Sequence, residues 1–323
     1  VIYDIHHETI YEYGSSVTFS HCALRLLPRD EPGQTVLETS LSIDPAPKQV
    51  LERICFFGNR VTSLTIETAH RRLTVDTRAS LEIDRAEPPA QELTPAWEEV
   101  REAGFNIKSL ASDSPAHFLH PSRFVPRYRP AADYTQESFS PGMPILEAAR
   151  DLMNRIKKDF KYDPKATVLS TPLSEAFEKK RGVCQDFAQI MIAGLRGIGL
   201  PAGYVSGYIR TIPPPGRARL EGADAMHAWV SLWCGQEYGW IDLDPTNDML
   251  IGNDHIILAK GRDYADISPV SGIILGSSDQ AIDVKVDVIP REDRLLSPSP
   301  RGPARPGRGG SPASERSATP SAG

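Results

Sequence analysis

Four cysteines in 323 residues are few, and no two of them stand in a C-x-x-C pair. Cys22, Cys55, Cys184 and Cys234 are spaced for neither a structural zinc site nor a redox dithiol, so no metal and no cofactor is expected. They read as free thiols in a reducing cytoplasm. Also missing is any apolar run of the roughly 18 residues that would span a bilayer, which argues against a membrane partner. Positive charge is in deficit: 36 Lys and Arg face 42 Asp and Glu, for a net charge of −6. Nucleic acid is not an expected partner of such a chain. The chain starts at Val1 rather than at a methionine, which leaves room for a removed leader, although none is visible.

What is present divides the chain. Val1–Ile5, Thr35–Ile43, Arg60–Ile66 and Leu73–Ile83 alternate apolar and polar residues, and Gly58-Asn59 is a two-residue turn signal. Six or so short strands at this spacing predict a compact β-sandwich over residues 1–86. His6 and His7 fall on one of these strands, where a surface or packed role is expected. Nine prolines then break up residues 87–144. This stretch reads as a connector with short helices near Ala96–Glu102 and Ser114–Leu119. Phe118, Phe124 and Val125 would not favour water, so it is expected to lie over the domain that follows.

That domain is expected over 145–290. Ile145–Ile156 has helical spacing, Ser174–Lys180 reads as a short helix, and a long apolar-periodic segment runs from Cys184 to Gly199. Strands follow at 203–210, 227–233, 239–244, 255–259 and 282–289. Helices first and an antiparallel sheet afterwards make the class α+β. The loop Pro213–Asp224 is polar and reads as flexible. Residues 291–323 are dominated by Pro, Gly, Ser and Arg, cannot bury a core, and read as a disordered tail.

The chemistry gathers at Arg181-Gly-Val-Cys-Gln-Asp-Phe187. Gly182 punctuates the entry to the apolar segment, so Cys184 is placed in the first turn of a buried helix. Unpaired N–H groups and a positive partial charge at that end favour a thiolate. A thiolate is a nucleophile if a base is in reach. His227 opens a strand, and Asp242 and Asp244 lie on the next one, joined by the short Cys234–Gly239 turn. Side chains on paired strands face one another at about 5 Å, so imidazole and carboxylate can meet. Periodicity does not separate Asp242 from Asp244, since both face the same way.

The words Gly182-Val-Cys-Gln-Asp-Phe-Ala188, Gly199-Leu-Pro-Ala-Gly-Tyr-Val-Ser-Gly-Tyr208, His227-Ala-Trp-Val230 and Gly239-Trp-Ile-Asp-Leu-Asp-Pro-Thr246 together resemble the bacterial transglutaminase-like superfamily. Asp254-His-Ile256 and Gly261–Asp266 are similar to its C-terminal part. The β-rich start resembles the N-terminal domain that accompanies it in bacteria. The resemblance implies a β-sandwich followed by a papain-like or transglutaminase-like core, a Cys-bearing helix packed on an antiparallel sheet. It places the nucleophile on Cys184, the base on His227 and the third member on Asp244. One departure is Gln189, where the family often has histidine, and this bears on pocket lining more than on the triad. The acidic loops that bind calcium in animal transglutaminases have no counterpart here, so calcium dependence is not implied.

Asp186, Tyr208, Trp229 and His255 are the further residues read as lining a substrate pocket, with a helix-start role for Asp186 and a core role for Trp229 as the alternatives. The expected activity is thiol-dependent acyl transfer at a peptide or glutamine amide through a thioester, with hydrolysis favoured over transamidation and a peptide or protein as substrate. The rival expectation is a non-catalytic module that holds a partner peptide on the same fold.

Overall fold

The computed structural model describes residues 1–212, 222, 224–276 and 279–292. Most of the loop expected over 213–224 and all but two residues of the tail expected over 291–323 lie outside the described residues. The first third is β, as its alternation predicts: β1 (Ile2–Val17), β2 (Phe19–Leu24), β3 (Gln34–Asp44), β4 (Gln49–Ile54), β5 (Arg60–Ile66) and β6 (His70–Ile83). Along β1 the side chains of Tyr3, Ile5, His7 and Thr9 are buried while their neighbours are not, the period of two expected of a sheet with one covered face.

Helices and a second set of strands follow. They are α1 (Trp97–Asn106), α2 (Arg129–Gln136), α3 (Ile145–Asp159), β7 (Lys161–Tyr162), α4 (Leu173–Lys179), β8 (Arg181–Gly182) and α5 (Cys184–Gly197). Then come β9 (Ala202–Ile209), β10 (Ala225–Trp233), β11 (Trp240–Asp244), β12 (Met249–Leu250), β13 (His255–Gly261), α6 (Tyr264–Ile267), β14 (Val270–Leu275) and β15 (Gln280–Pro290).

Two four-stranded sheets form the N-terminal unit, in the orders β15-β1-β6-β3 and β14-β2-β5-β4, with every pairing antiparallel. Tyr13 and Leu73 of the first sheet and Cys22, Leu24 and Leu64 of the second share one apolar cluster, so the sheets pack face to face. Its outer strands come from the far end of the chain. Residues 270–290, grouped by sequence position with the second domain, pair instead with β1 and β2, as in Ile5↔Val288 and Cys22↔Gly272. Nothing local in a strand encodes its distant partner.

The second unit is a five-stranded antiparallel sheet, β12-β11-β10-β9-β13, with α5 laid across one face. Ala228, Val230, Leu232 and Leu243 point at the helix. Ile190, Met191, Ile192 and Leu195 of α5 are each at most 2% exposed. Burying such a side chain contributes about 1.5–3 kcal/mol, so packing rather than helix propensity holds α5 in place. The helix stops at Gly199, whose φ of +89° lets the Leu200 N–H turn back to the Leu195 carbonyl. His227, Trp229, Ser231, Asp242 and Asp244 alternate with Ala228, Val230, Leu232 and Leu243 by the same period of two.

The units are joined along the free edge of β13. Two buried side-chain amides of the sandwich stand where a neighbouring strand would. Gln34 donates to the Ile257 carbonyl and accepts from its N–H, both at 2.8 Å. Asn59 does the same for Lys260, at 2.8 and 2.9 Å. Each satisfies an edge that would otherwise be buried unpaired. Asn59→Ala leaves two backbone groups without partners. It is expected to cost about 1–3 kcal/mol in urea unfolding, with the rest of the five-stranded sheet untouched. An unchanged midpoint would show that water replaces the amide at no cost.

Candidate active site

The start of α5 is built by its own third residue. Val183, extended at φ −114° and ψ −179°, precedes the helix, and its N–H donates to Asp186 Oδ2 at 2.8 Å. The Thr167 hydroxyl donates to the same oxygen at 2.6 Å. Burial pushes the Asp186 carboxyl above its ordinary range, and these two hydrogen bonds oppose the shift. The carboxylate sits so close to the chain that a Cβ at Gly182 would lie 2.4 Å from Asp186 Oδ2, which is why glycine stands there. Cys184 follows as the first helical residue and is half-buried. Cys22 and Cys234 are buried, and burial pushes both thiols up.

His227 lies opposite Gly207 of β9, where a side chain would collide with the Trp229 indole at 2.5 Å and the Ile256 carbonyl at 1.9 Å. The missing side chain is what lets the indole sit beside the imidazole. His227 Nε2 donates to Asp244 Oδ2 at 2.7 Å, and the Cys184 thiol lies near enough to favour the charged form of the same ring. Since Nε2 is committed to the carboxylate, Nδ1 is the nitrogen left for the sulfur. Burial opposes the charged imidazole, but the hydrogen bonds and negative charge of Asp244 and Cys184 outweigh it and raise His227 to about 10.

Asp244 is 0% exposed and surrounded by donors. Oδ2 accepts from His227, from Asn247 Nδ2 at 2.7 Å and from His255 Nε2 at 3.2 Å. Oδ1 accepts from the N–H groups of Thr246 and Asn247, at 2.9 and 3.2 Å. Burial alone would raise this carboxyl. The bonds from His227 and His255 reverse that and hold it well below the usual carboxylate range. Asp242, two residues earlier on the same face, is occupied elsewhere by Trp229 Nε1 at 3.1 Å, the Ser231 hydroxyl and the Lys260 ammonium at 3.6 Å. Geometry therefore separates the two aspartates that periodicity leaves equivalent.

Cys184, His227 and Asp244 are brought together. The four residues expected around a substrate pocket are placed otherwise, because each is drawn inward by a partner. Asp186 is buried under its own helix start. Tyr208 is 1% exposed, with its hydroxyl 2.7 Å from His7 Nδ1. Trp229 is wholly buried between Val205 and Ile257. His255 is wholly buried behind Asp244. Gln189 is buried within α5. Sequence reading missed Asn247, although Asp244-Pro-Thr-Asn is an aspartate-led turn whose side chain accepts from the N–H two residues on.

Comparison with known proteins places the chain in a family. The model of the bacterial transglutaminase-like N-terminal region matches residues 3–82. The model of the transglutaminase-like superfamily matches residues 132–245, a range that includes Cys184, His227 and Asp244. The chain belongs to the transglutaminase-like superfamily. Over 301 residues it is 40% identical to uncharacterised proteins of Mycobacterium tuberculosis and Mycobacterium bovis, covering 91% of this chain and 94% of each of those. A 129-residue stretch is 32% identical to the protein-glutamine gamma-glutamyltransferase of Pseudomonas aeruginosa, covering 38% of this chain and 18% of that protein. The crystal structure of a candidate cysteine protease from Cytophaga hutchinsonii superposes with a TM-score of 0.67 at 20% identity, over 90% of this chain and 91% of that one. The superfamily fold, a β-sandwich ahead of a Cys-bearing helix on an antiparallel sheet, is the one expected from the resemblance.

Proposed function

We propose that this transglutaminase-like protein is a cysteine enzyme that transfers an acyl group from a peptide or glutamine amide, with hydrolysis as the favoured outcome. The observation that carries the reading is one constellation: a half-buried thiol at a helix start, an imidazole whose charged form that thiol favours, and a buried carboxylate 2.7 Å behind that imidazole. His227 takes the thiol proton and holds it, stabilised by Asp244. The Cys184 sulfur adds to the amide carbonyl, and the oxyanion faces the first-turn N–H groups of α5, which have no intrahelical acceptor. As the C–N bond breaks, His227 returns the proton to the departing amine or ammonia, and a thioester remains. Water then gives up a proton to His227 and adds to the thioester, freeing the acid and the thiol. Transamidation would need an amine held at the same place.

The test is mass spectrometry of glutamine-containing peptides incubated with the protein, with and without a primary amine. Shortened or deamidated peptides are the expected result. Amine adducts would move the reading to transamidation. Unmodified peptides, together with a Cys184 that iodoacetamide alkylates no faster than Cys55, would leave a binding module instead.

A further inference from the structure

We infer that Arg85, supplied by the β-sandwich, is a positioning residue for the Asp244 carboxylate, acting through the turn at residues 252–255 and through His255. The inference rests on the triad reading above and extends it to the N-terminal unit.

His255 begins β13 and its ring has two engagements. Nε2 lies 3.2 Å from Asp244 Oδ2, and Nδ1 lies 3.4 Å from the Gly252 N–H. A backbone N–H can only donate, so Nδ1 accepts and the ring proton sits on Nε2, aimed at the carboxylate. The tautomer and aim of His255 therefore depend on the shape of the turn from Gly252. That turn is closed by the His255 N–H on the Gly252 carbonyl at 3.3 Å.

Arg85 grips both ends of the turn with one nitrogen. Nη1 donates to the Gly252 carbonyl at 2.6 Å and to the His255 carbonyl at 2.5 Å. Nη2 lies 3.3 Å from Gln34 Oε1, the atom that accepts the Ile257 N–H. The Arg85 N–H adds a bond to Asn253 Oδ1 at 3.3 Å. Its route is kept open by Gly33, at φ +76°, where a Cβ would lie 2.9 Å from both Cα and Cγ of Arg85. Tyr3 of β1 donates to Asp254 Oδ1 at 2.9 Å within the same turn. The sandwich thus holds the segment that carries the donor to Asp244.

A plain staple between the two units would look similar, and Asn59 supplies the contrast. Asn59 grips Lys260, beyond the turn and away from Asp244, so it joins the units without touching the donor. Arg85 joins them at the two residues that set the imidazole. The groups facing His227 are Cys184 of α5, Asp244 at the end of β11, Asn247 just after it, Trp229 of its own strand and His255 of β13. Of these, only His255 is bonded to the Arg85-held turn.

The test uses the full chain with iodoacetamide as probe, reading the alkylation rate of Cys184 against pH. Arg85→Ala is expected to slow alkylation below neutral pH about tenfold, the equivalent of one pH unit. The deficit should vanish at alkaline pH, where a thiol ionises unaided. Arg85→Lys, whose ammonium can bond both carbonyls, should recover part of the rate. His255→Leu should reproduce the deficit, and His255→Gln, which keeps a donor near the Nε2 position, should lessen it. Adding Arg85→Ala to His255→Leu should slow the reaction no further. A loss equal at all pH values, a loss matched by Asn59→Ala, or additive losses would each overturn the inference. Should Arg85→Ala fail to fold, equal rates for His255→Leu and His255→Gln would overturn it alone. Slow alkylation of Cys184 in the unaltered protein defeats the triad reading itself. Fast alkylation there with no change in Arg85→Ala defeats the Arg85 role only.

Discussion

Cys184→Ala is expected to reduce peptide turnover by about 10⁴-fold or more while the thermal midpoint moves by no more than about 2 °C. The size follows from the chemistry: without the sulfur there is no thioester, and water must attack the amide directly. The small stability effect follows from position. Cys184 is half-buried at the edge of the apolar cluster, so truncation opens no closed cavity. His227→Ala should lose nearly as much, because an unactivated thiol is a poor nucleophile toward an amide. The double variant should be no worse than either single one, since groups that act as a unit lose their effect together. Turnover measured by mass spectrometry on the same peptide decides it. Activity that survives either substitution would place the chemistry elsewhere, and multiplicative losses would mean that the two residues act separately.

Much of this was legible in the sequence, for identifiable reasons. The Cys184 helix announces itself because Gly182 and Gly199-Leu-Pro201 bracket a run whose burial is nearly continuous. The β10–β11 hairpin is short-range, so its register could be anticipated, and Ser231 does face Asp242. What could not be read is what long sequence separation hides. The strands at 270–290 carry no mark of their partners some 250 residues earlier, and a chain-order reading puts them in the wrong unit. The helix at Arg129–Gln136 was hidden by Pro130, which reads as a breaker. It stands in the first turn, where a missing N–H leaves no helical bond unmade. Gln34, Asn59 and Arg85 were invisible for a third reason. Each acts by bonding backbone groups of a distant strand, and a backbone acceptor has no sequence signature.

The same limit explains why His255 and Trp229 were read as pocket residues. Aromatic and imidazole side chains beside a triad can face the substrate or support the triad from behind, and the period of a strand is the same in both cases. Asn59, Gln34 and Arg85 decide it here, because they press the sandwich against the β13 edge and bury His255 behind the carboxylate. The N-terminal unit thereby becomes part of the structure that shapes the site.

Asp244→Asn should lower turnover about 10⁴-fold with the fold retained, and the donor pattern around the carboxylate says why. All five partners of Asp244 among the described residues are donors: His227, His255 and the Asn247 amide on Oδ2, and two backbone N–H groups on Oδ1. An asparagine NH2 group has no acceptor on either side. Its least unfavourable placement faces the histidines, because an imidazole can change tautomer and a backbone N–H cannot. His227 would then accept at Nε2 and carry its proton on Nδ1, toward the sulfur, where it can no longer take the thiol proton. The pH dependence of stability should change as well. The raised His227 contributes stability that is fully present below its ordinary 6.5 and is lost as pH rises toward about 10. The depressed Asp244 contributes stability that is present above its ordinary 3.8 and is lost as pH falls below that. These are two ends of one ion pair, so the stability gap between the native chain and Asp244→Asn should be widest between pH 3.8 and 6.5 and narrow on both sides. Urea unfolding across that range measures it. A gap that stays constant from pH 5 to pH 10 would mean that His227 is not held in its charged form by Asp244.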